Sequence, residues 1–176
     1  MIMAKEMVDQ LNNLGEKIGV VDKDIAHKKG FWHRSIHVWL VNNDNKILLQ
    51  HRCAEKKLFP NTWDCSFAGH ISAGETPIQA VLREGKEEIG IDVDLDKLDF
   101  LFTNREMIKY KDINSNEFVD VYLLKQNFEL DEMQFQKEEV SGAKYVSISD
   151  FYDMINKNEV LPHKVEYSIL KEYLRK

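Results

Sequence analysis

The stretch Gly69-His70-Ile71-Ser72-Ala73-Gly74-Glu75-Thr76-Pro77-Ile78-Gln79-Ala80-Val81-Leu82-Arg83-Glu84-Gly85-Lys86-Glu87-Glu88-Ile89-Gly90-Ile91 decides how the chain is read. Thr76 followed by Pro77 marks a helix start. Threonine accepts a hydrogen bond from the open first turn, and proline lacks only an amide that has no helical partner there. Gly90 supplies the left-handed residue that ends a helix. Between these limits Ile78, Leu82 and Ile89 recur at intervals of four and seven with Val81 at their border, which predicts an apolar face packed on a sheet. Glu84, Glu87 and Glu88 stand at i, i+3 and i+4 on the opposite side, and one helical turn of about 5.4 Å brings their carboxylates together. Like charges so placed repel. The residues alone allow two readings: a solvated acidic face, or oxygen ligands for a hard cation of the kind that accompanies pyrophosphate. Gly85 falls on the apolar side and costs about 1 kcal/mol of helix propensity relative to alanine. It permits either a closer helix–sheet contact or a small gap.

Outward from this helix, the chain alternates strands and helices without a regular βαβ period, which predicts a mixed α/β domain. Met7 to Leu11 and Lys17 to Val21 form an expected hairpin around Asn12-Asn13-Leu14-Gly15, within an N-terminal extension over residues 1–30. A polar segment, Asp22 to Gly30, leads to buried strand residues Ser35 to Val41. The turn residues Asn42-Asn43-Asp44-Asn45 then precede a strand over Lys46 to His51. Leu98 to Tyr110 and Glu117 to Asn127 predict a long hairpin across Lys111 to Asn116. Lys144 to Ser147 reads as a short strand and Ser149 to Asn156 as a helix capped by Ser147 or Ser149. From Pro162 onward, Val165, Ile169, Leu170 and Tyr173 fall at helical spacing.

The 176 residues fit one domain, 1–176, and no shift in composition divides them. The longest apolar runs fall short of the ~18 residues that a membrane helix needs, and Met1-Ile2-Met3-Ala4-Lys5-Glu6 lacks the apolar core of a signal peptide. The expected location is the cytoplasm, with no membrane partner. Cys53 and Cys65 are too few for a disulfide scaffold and are expected to be reduced thiols. A net charge of -6 offers no footprint for duplex nucleic acid. An acidic protein that handles an anionic phosphate needs a metal or a local basic cluster. The N-terminal hairpin could cover its own sheet or pair with a second copy in a homodimer.

Residues 69–91 resemble the Nudix box, G-x5-E-x7-R-E-U-x-E-E-x-G-U with U aliphatic; eight of its nine specified positions match, and Gly85 is the departure. The resemblance implies an α/β/α sandwich around a mixed sheet and a hydrolase of phosphoric anhydride bonds. It also implies Mg²⁺ or Mn²⁺ held by Glu84, Glu87, Glu88 and the carbonyl of Gly69. Arg83 is then expected to orient a ligand carboxylate, and Glu75 to hold the junction of loop and helix. The implied substrate is a small diphosphate, a nucleoside diphosphate linked to another moiety. Metal-activated water would attack phosphorus, with Glu88, Glu139 or Glu117 as its general base and Asp120 also within the expected cleft. Upstream, Arg52 can grip a phosphate bidentately and Lys56 can add a point charge. Trp63 and Phe59 read as packing residues that shape the same loop. Trp32, Trp39, Phe102, Tyr110 and Tyr122 could stack on a base or pack in the core.

The run Trp63-Asp64-Cys65-Ser66-Phe67-Ala68-Gly69-His70 is similar to one Nudix branch, that of type I isopentenyl-diphosphate isomerase, over about residues 19–148. That branch carries a catalytic cysteine where this chain has Ala68, and a methyl group neither donates nor accepts the proton an isomerisation requires. Cys65, three residues earlier, would point to the opposite face of a continuous strand. The branch places metal ligands at His27, His33, His70 and Glu117, with Ser115 standing where a second acidic ligand is expected. Such a set suits zinc or manganese in an additional site. Hydrolysis leads. The alternatives are an isomerase-like enzyme and a non-catalytic nucleotide-binding sensor.

Overall fold

The computed structural model describes residues 5–174. β1 (Met7–Leu11) and β2 (Lys17–Asp22) form the expected hairpin. The polar segment after it is a helix, α1 (Lys23–Lys29), rather than an open linker. The Asp22 side chain accepts from the amide of Ile25 at 3.2 Å, and Gly30 ends it at a φ of 68°. A capped helix of seven residues carries too little apolar periodicity to stand out in sequence.

β3 (Trp32–Val41) is the central strand. It runs parallel to β8 (Ile113–Lys125) over Trp32↔Asn116 to Val41↔Lys125, and β8 pairs antiparallel with β7 (Leu98–Tyr110). The β7–β8 turn is shorter than expected and holds Lys111 in the left-handed region at a φ of 53°, so the polar run 113–116 is paired strand. On its other edge β3 meets β4 (Lys46–Arg52) only at Val41↔Ile47, and then the two diverge. β6 (Phe67–His70) pairs with β3 inside this split, while β5 (Trp63–Asp64) and β9 (Val140–Ser147) pair with β4. β9 starts earlier than its apolar residues indicate. Buried Ser66 bridges the split: its hydroxyl accepts from the amide of Leu40 and donates to the carbonyl of Leu48, each at 2.7 Å.

Alternation along β3 feeds two cores, as a sheet covered on both faces requires. Ile36, Val38 and Leu40 pack with Leu48, Phe67, Val81 and Ile89 beneath α2 (Pro77–Ile89). Trp39 and Val41 pack with Leu49, Val121, Phe151 and Leu170 beneath α3 (Ile148–Asn156) and α4 (Lys164–Leu174). Each fully buried side chain of this size contributes about 1.5–3 kcal/mol. Ser147 caps α3, accepting from the amide of Asp150 at 3.0 Å. The layers are those of the expected α/β/α sandwich, with the N-terminal hairpin extending its sheet. Among the described residues, no helix is long and apolar enough to cross a membrane.

Candidate active site

The ends of α2 follow from local chemistry. Thr76 and Gln79 form a capping box, with Thr76 accepting from the Gln79 amide at 3.3 Å and the Gln79 side chain accepting from the Thr76 amide at 2.9 Å. Gly90 closes the helix at a φ of 75°.

Its rotation differs from the expectation. Ile78 and Leu82 are exposed, and the side turned to the sheet is Ala80, Val81, Glu84, Gly85, Glu88 and Ile89. Gly85 resolves its own ambiguity, because an added Cβ would stand 3.1 Å from Val93 and 3.3 Å from Phe67. The missing side chain lets the helix approach the sheet, and that approach buries Glu84 and Glu88. Glu84 lies over Gly69, where any Cβ would overlap its carboxylate.

Arg83 gathers the junction. Its guanidinium donates to Glu75 at 2.8 and 2.9 Å, to Glu84 at 2.5 Å, to Glu87 at 3.3 Å and to the carbonyl of His70 at 3.0 Å. Glu75 also accepts from the amide of Ser72 at 2.9 Å, which ties the loop to the helix start. Glu88 sits at the split in the sheet, accepting from the Ala68 amide of β6 at 3.1 Å and from Gln50 of β4 at 3.2 Å. Glu87 faces solvent.

Burial, and then the charge of Glu88, raise Glu84 to about 7 even though Arg83 pulls it down. Burial likewise raises Glu88, with Lys56, Ala68 and Gln50 opposing. Two buried carboxylates held above their ordinary range disfavour negative charge in this form of the site. A cation there relieves both, and oxygen donors suit a hard one. The absence of a side chain at Gly69 is what lets the Glu84 carboxylate lie against the β6 backbone there.

Arg52 and Lys56 are drawn into the rim of this site. Arg52 turns its fork onto protein acceptors: Asp64 at 3.0 Å, the carbonyl of Leu58 at 2.8 Å and that of Phe59 at 3.2 Å. Phe59 occupies the left-handed region at a φ of 44°, and Arg52 holds that turn. Lys56 pairs with Glu139, which brings the loop glutamate to the same rim. Burial and the neighbouring Arg52 lower Lys56, while Glu88 raises it.

The four residues of the additional set do converge. His27 from α1, His33 from β3 and His70 from β6 surround Glu117 of β8, with ring nitrogens 3.8, 3.6 and 3.6 Å from one carboxylate oxygen. The Nε2 atoms of His27 and His33 are buried with no hydrogen-bond partner among the described residues. Burial would raise Glu117, yet the three histidines hold it well below the usual carboxylate range. Glu117 and Glu6 together bring His70 to about 9 against the effect of burial. Ser115 donates to Glu117, so the position without a second carboxylate supplies a hydrogen bond instead.

Asp120, also expected in the cleft, is occupied by Arg34 and Thr103. Ala68 packs against the core beneath α4. Cys65 packs into that same core, so the argument from opposite faces fails: the chain bends between β5 and β6, and no continuous strand joins the two positions. The Cys65 thiol is buried 3.4 Å from the carbonyl of Phe67, and burial pushes it well above the ordinary thiol range. Both cysteines are free. Of the aromatic candidates, Trp39 is core and Trp32 stacks with Phe118 beneath Arg105.

The NUDIX domain model matches residues 31–165. The chain belongs to the Nudix family. Among its relatives, Nudix hydrolase 3 of Arabidopsis thaliana is 37% identical over 97% of this chain; the chain spans 23% of that longer protein. Isopentenyl-diphosphate Delta-isomerase 1 of Photorhabdus laumondii is 29% identical over 87% of this chain and 84% of its own length. The Nudix fold recurs in the crystal structure of DR0079 from Deinococcus radiodurans, with a TM-score of 0.73, 22% identity and coverage of 94% and 98% of the two chains. The Nudix box therefore sits in a Nudix fold. The family and the names of these relatives support a hydrolase of phosphoric anhydride bonds, on a branch shared with the isomerases.

Sequence reasoning missed several polar residues around this site: Gln50, Asp64 and Ser66 at the split, and His37, Glu106, His163 and Glu166 beneath α4. The only signal at hand was the His163-x-x-Glu166 spacing at a helix start, and periodicity assigned that face to Val165. Val165 is exposed and Glu166 fully buried.

Proposed function

We propose that the chain is a divalent-cation-dependent pyrophosphohydrolase that cleaves a nucleoside diphosphate linked to another moiety. The observation that carries this reading is the carboxylate trio at the sheet split, two of its members buried on the sheet-facing side of α2 and the third open to solvent. Glu84, Glu87, Glu88 and the Gly69 carbonyl would hold Mg²⁺ or Mn²⁺. When bound, such an ion offsets phosphate charge and makes water a stronger nucleophile.

Arg83 orients Glu84 and Glu87 toward one point. Lys56 would leave Glu139 to meet a phosphate oxygen, and Arg52 would serve substrate by holding the loop that presents Lys56. Of the carboxylates considered as general base, Glu117 is enclosed by histidines and Glu88 is buried. Glu139 is partly exposed beside Lys56, and we assign it that role. The nucleoside half of the substrate rests on the family resemblance.

The isomerase reading lacks a proton carrier at Ala68, and Cys65 is sealed in the core. The His27, His33, His70 and Glu117 set favours a second site for zinc or manganese, because two orphaned buried nitrogens face one carboxylate. Elemental analysis of protein purified without added metal tests it; zinc and manganese far below one ion per chain would sink it.

The hydrolase reading is tested by incubating the protein and its Glu87→Gln variant with Mg²⁺ and a panel of nucleoside diphosphate derivatives, dinucleotides and isopentenyl diphosphate. Metal-dependent hydrolysis that the variant loses is the expected result. Isomerisation without cleavage of a phosphate bond, or binding without turnover across the panel, overturns it.

A further inference from the structure

A second histidine group lies beneath α4, and the hydrolytic reading leaves it unused. We propose that His37, Glu106 and His163 form a binding site for a divalent transition-metal ion of the zinc class, distinct from the acidic helix and from the His27 group. One donor atom from each of the three lies within 4.8 Å of the others, and they come from β3, β7 and the residue before α4. Glu106 faces Glu117 across the β7–β8 ladder, so one rung sends a carboxylate into each histidine group.

The surroundings of the two imidazoles point to a ligand. Glu166 holds His37 Nδ1 at 2.8 Å and is itself fixed by Trp39 Nε1 at 2.5 Å. Asp64 holds His163 Nε2 at 3.1 Å and is anchored by Arg52 at 3.0 Å and by the Cys65 amide at 2.8 Å. Each ring therefore has one nitrogen tied to an anchored carboxylate, the arrangement that orients a ligating histidine and makes its other nitrogen a better donor. The other nitrogen of His163 lies 2.7 Å from Glu106. Donors about 2.0–2.1 Å from a tetrahedral ion sit roughly 3.3 Å apart. Admitting one requires Glu106 and His163 to part by about half an ångström and His37 to close on them from within 4.8 Å.

Charge agrees with geometry. Asp64, Glu106 and Glu166 bring three negative charges to the group and Arg52 one positive charge. Against the effect of burial, those carboxylates hold His37 and His163 toward the imidazolium form, and a divalent ion that takes the two rings as ligands replaces the charge of the protons it displaces. Two imidazoles and a carboxylate also form a donor set that zinc accepts. A cavity of about 220 Å³, lined by Asn104, Glu106, Met107, Pro162 and Lys164 among others, lies beside Glu106.

The test reads ion content and so stands apart from hydrolysis. A Glu84→Gln, His33→Gln variant weakens the other two candidate sites; after equilibration with zinc and gel filtration it is expected to retain about one zinc per chain. Adding His37→Gln or Glu106→Gln should abolish that zinc, together with the zinc-dependent rise in melting temperature. A background variant without zinc, or zinc that survives both further changes, overturns the proposal. Should a triple variant fail to fold, anomalous scattering at the zinc edge from zinc-soaked crystals of the unaltered protein decides. A peak among His37, Glu106 and His163 supports the site, and the absence of one overturns it.

Discussion

Glu84 and Glu88 under α2 are buried glutamates, and so is Glu166 on the opposite face of the sheet, with Glu117 half-buried, yet their surroundings move them in opposite directions. Beneath α2 the two carboxylates lie on one buried face of the helix with Arg83 bonded to Glu84, and both are raised. Beneath α4, burial would raise Glu166 as well, but His37, His163 and Trp39 hold it below its ordinary range, as three histidines do for Glu117. Burial is common to both regions, and the partner decides the sign. A carboxylate pair short of positive charge invites a cation, whereas a carboxylate already met by imidazolium and indole serves to hold elements together. The same substitution, glutamate to glutamine, should therefore have opposite consequences in the two places.

The largest effect is expected at Glu166→Gln. Removing one partner of a buried charged pair costs about 3–5 kcal/mol, and urea unfolding of the metal-free protein should show it as a loss of stability at neutral pH. An unchanged midpoint would erase the contrast between the two faces. Next, Glu84→Gln should lower kcat for hydrolysis on the order of 10²–10³-fold, the scale on which lost transition-state charge stabilisation is felt. The same variant should leave metal-free stability equal or higher, because a repelling pair has been relieved. Arg83→Lys keeps the charge but loses the fork that reaches Glu75, Glu84, Glu87 and the His70 carbonyl together. A fall of about 10–100-fold in activity or metal affinity, the range for residues that orient ligands, is expected by steady-state kinetics and Mg²⁺ titration.

The smallest effect is one of slope. Glu84 in the folded chain stands at about 7, above its ordinary 4.5, so its contribution to stability is fully present below pH 4.5 and is lost as pH rises through about 7. Melting temperatures in EDTA should carry this downward component between about pH 4.5 and about pH 7, and Glu84→Gln should remove it. Saturating Mg²⁺ should reverse it, because the ion favours the ionised form. A variant with the same slope as the parent would place the titration elsewhere.

Much of the frame could be read from sequence because its signals are local. Thr76, Pro77 and Gly90 bound α2 where their backbone chemistry requires, and the β-branched and aromatic content of Ser35 to Val41 announced a buried strand. The convergence of His27, His33, His70 and Glu117 followed the resemblance. Helix rotation was less accessible. In α2 and α4 the apolar periodicity selected Ile78, Leu82 and Val165, while the structure buries Glu84, Glu88 and Glu166, because a buried charge with partners counts as polar in any periodicity. Arg52 looked like a free phosphate clamp in a basic loop; Asp64 and two loop carbonyls, brought near by the turn at Phe59, occupy it.

By itself the sequence named the unit that carries the chemistry, since the spacing Glu84, Glu87, Glu88 behind Gly69 is a property of one helix and one turn, and its resemblance to the Nudix box pointed to hydrolysis. It also determined that the box lacks an aliphatic at Gly85, but not that this gap draws α2 onto Phe67 and so buries two of its carboxylates. Tertiary structure decided which glutamates are short of positive charge and which are met by histidine. The physical reason is range: a helix cap or a strand period acts over a few residues, whereas His37 finds Glu166 across 129 positions and Lys56 finds Glu139 across 83. Only the folded sheet, split between β3 and β4, sets those distances.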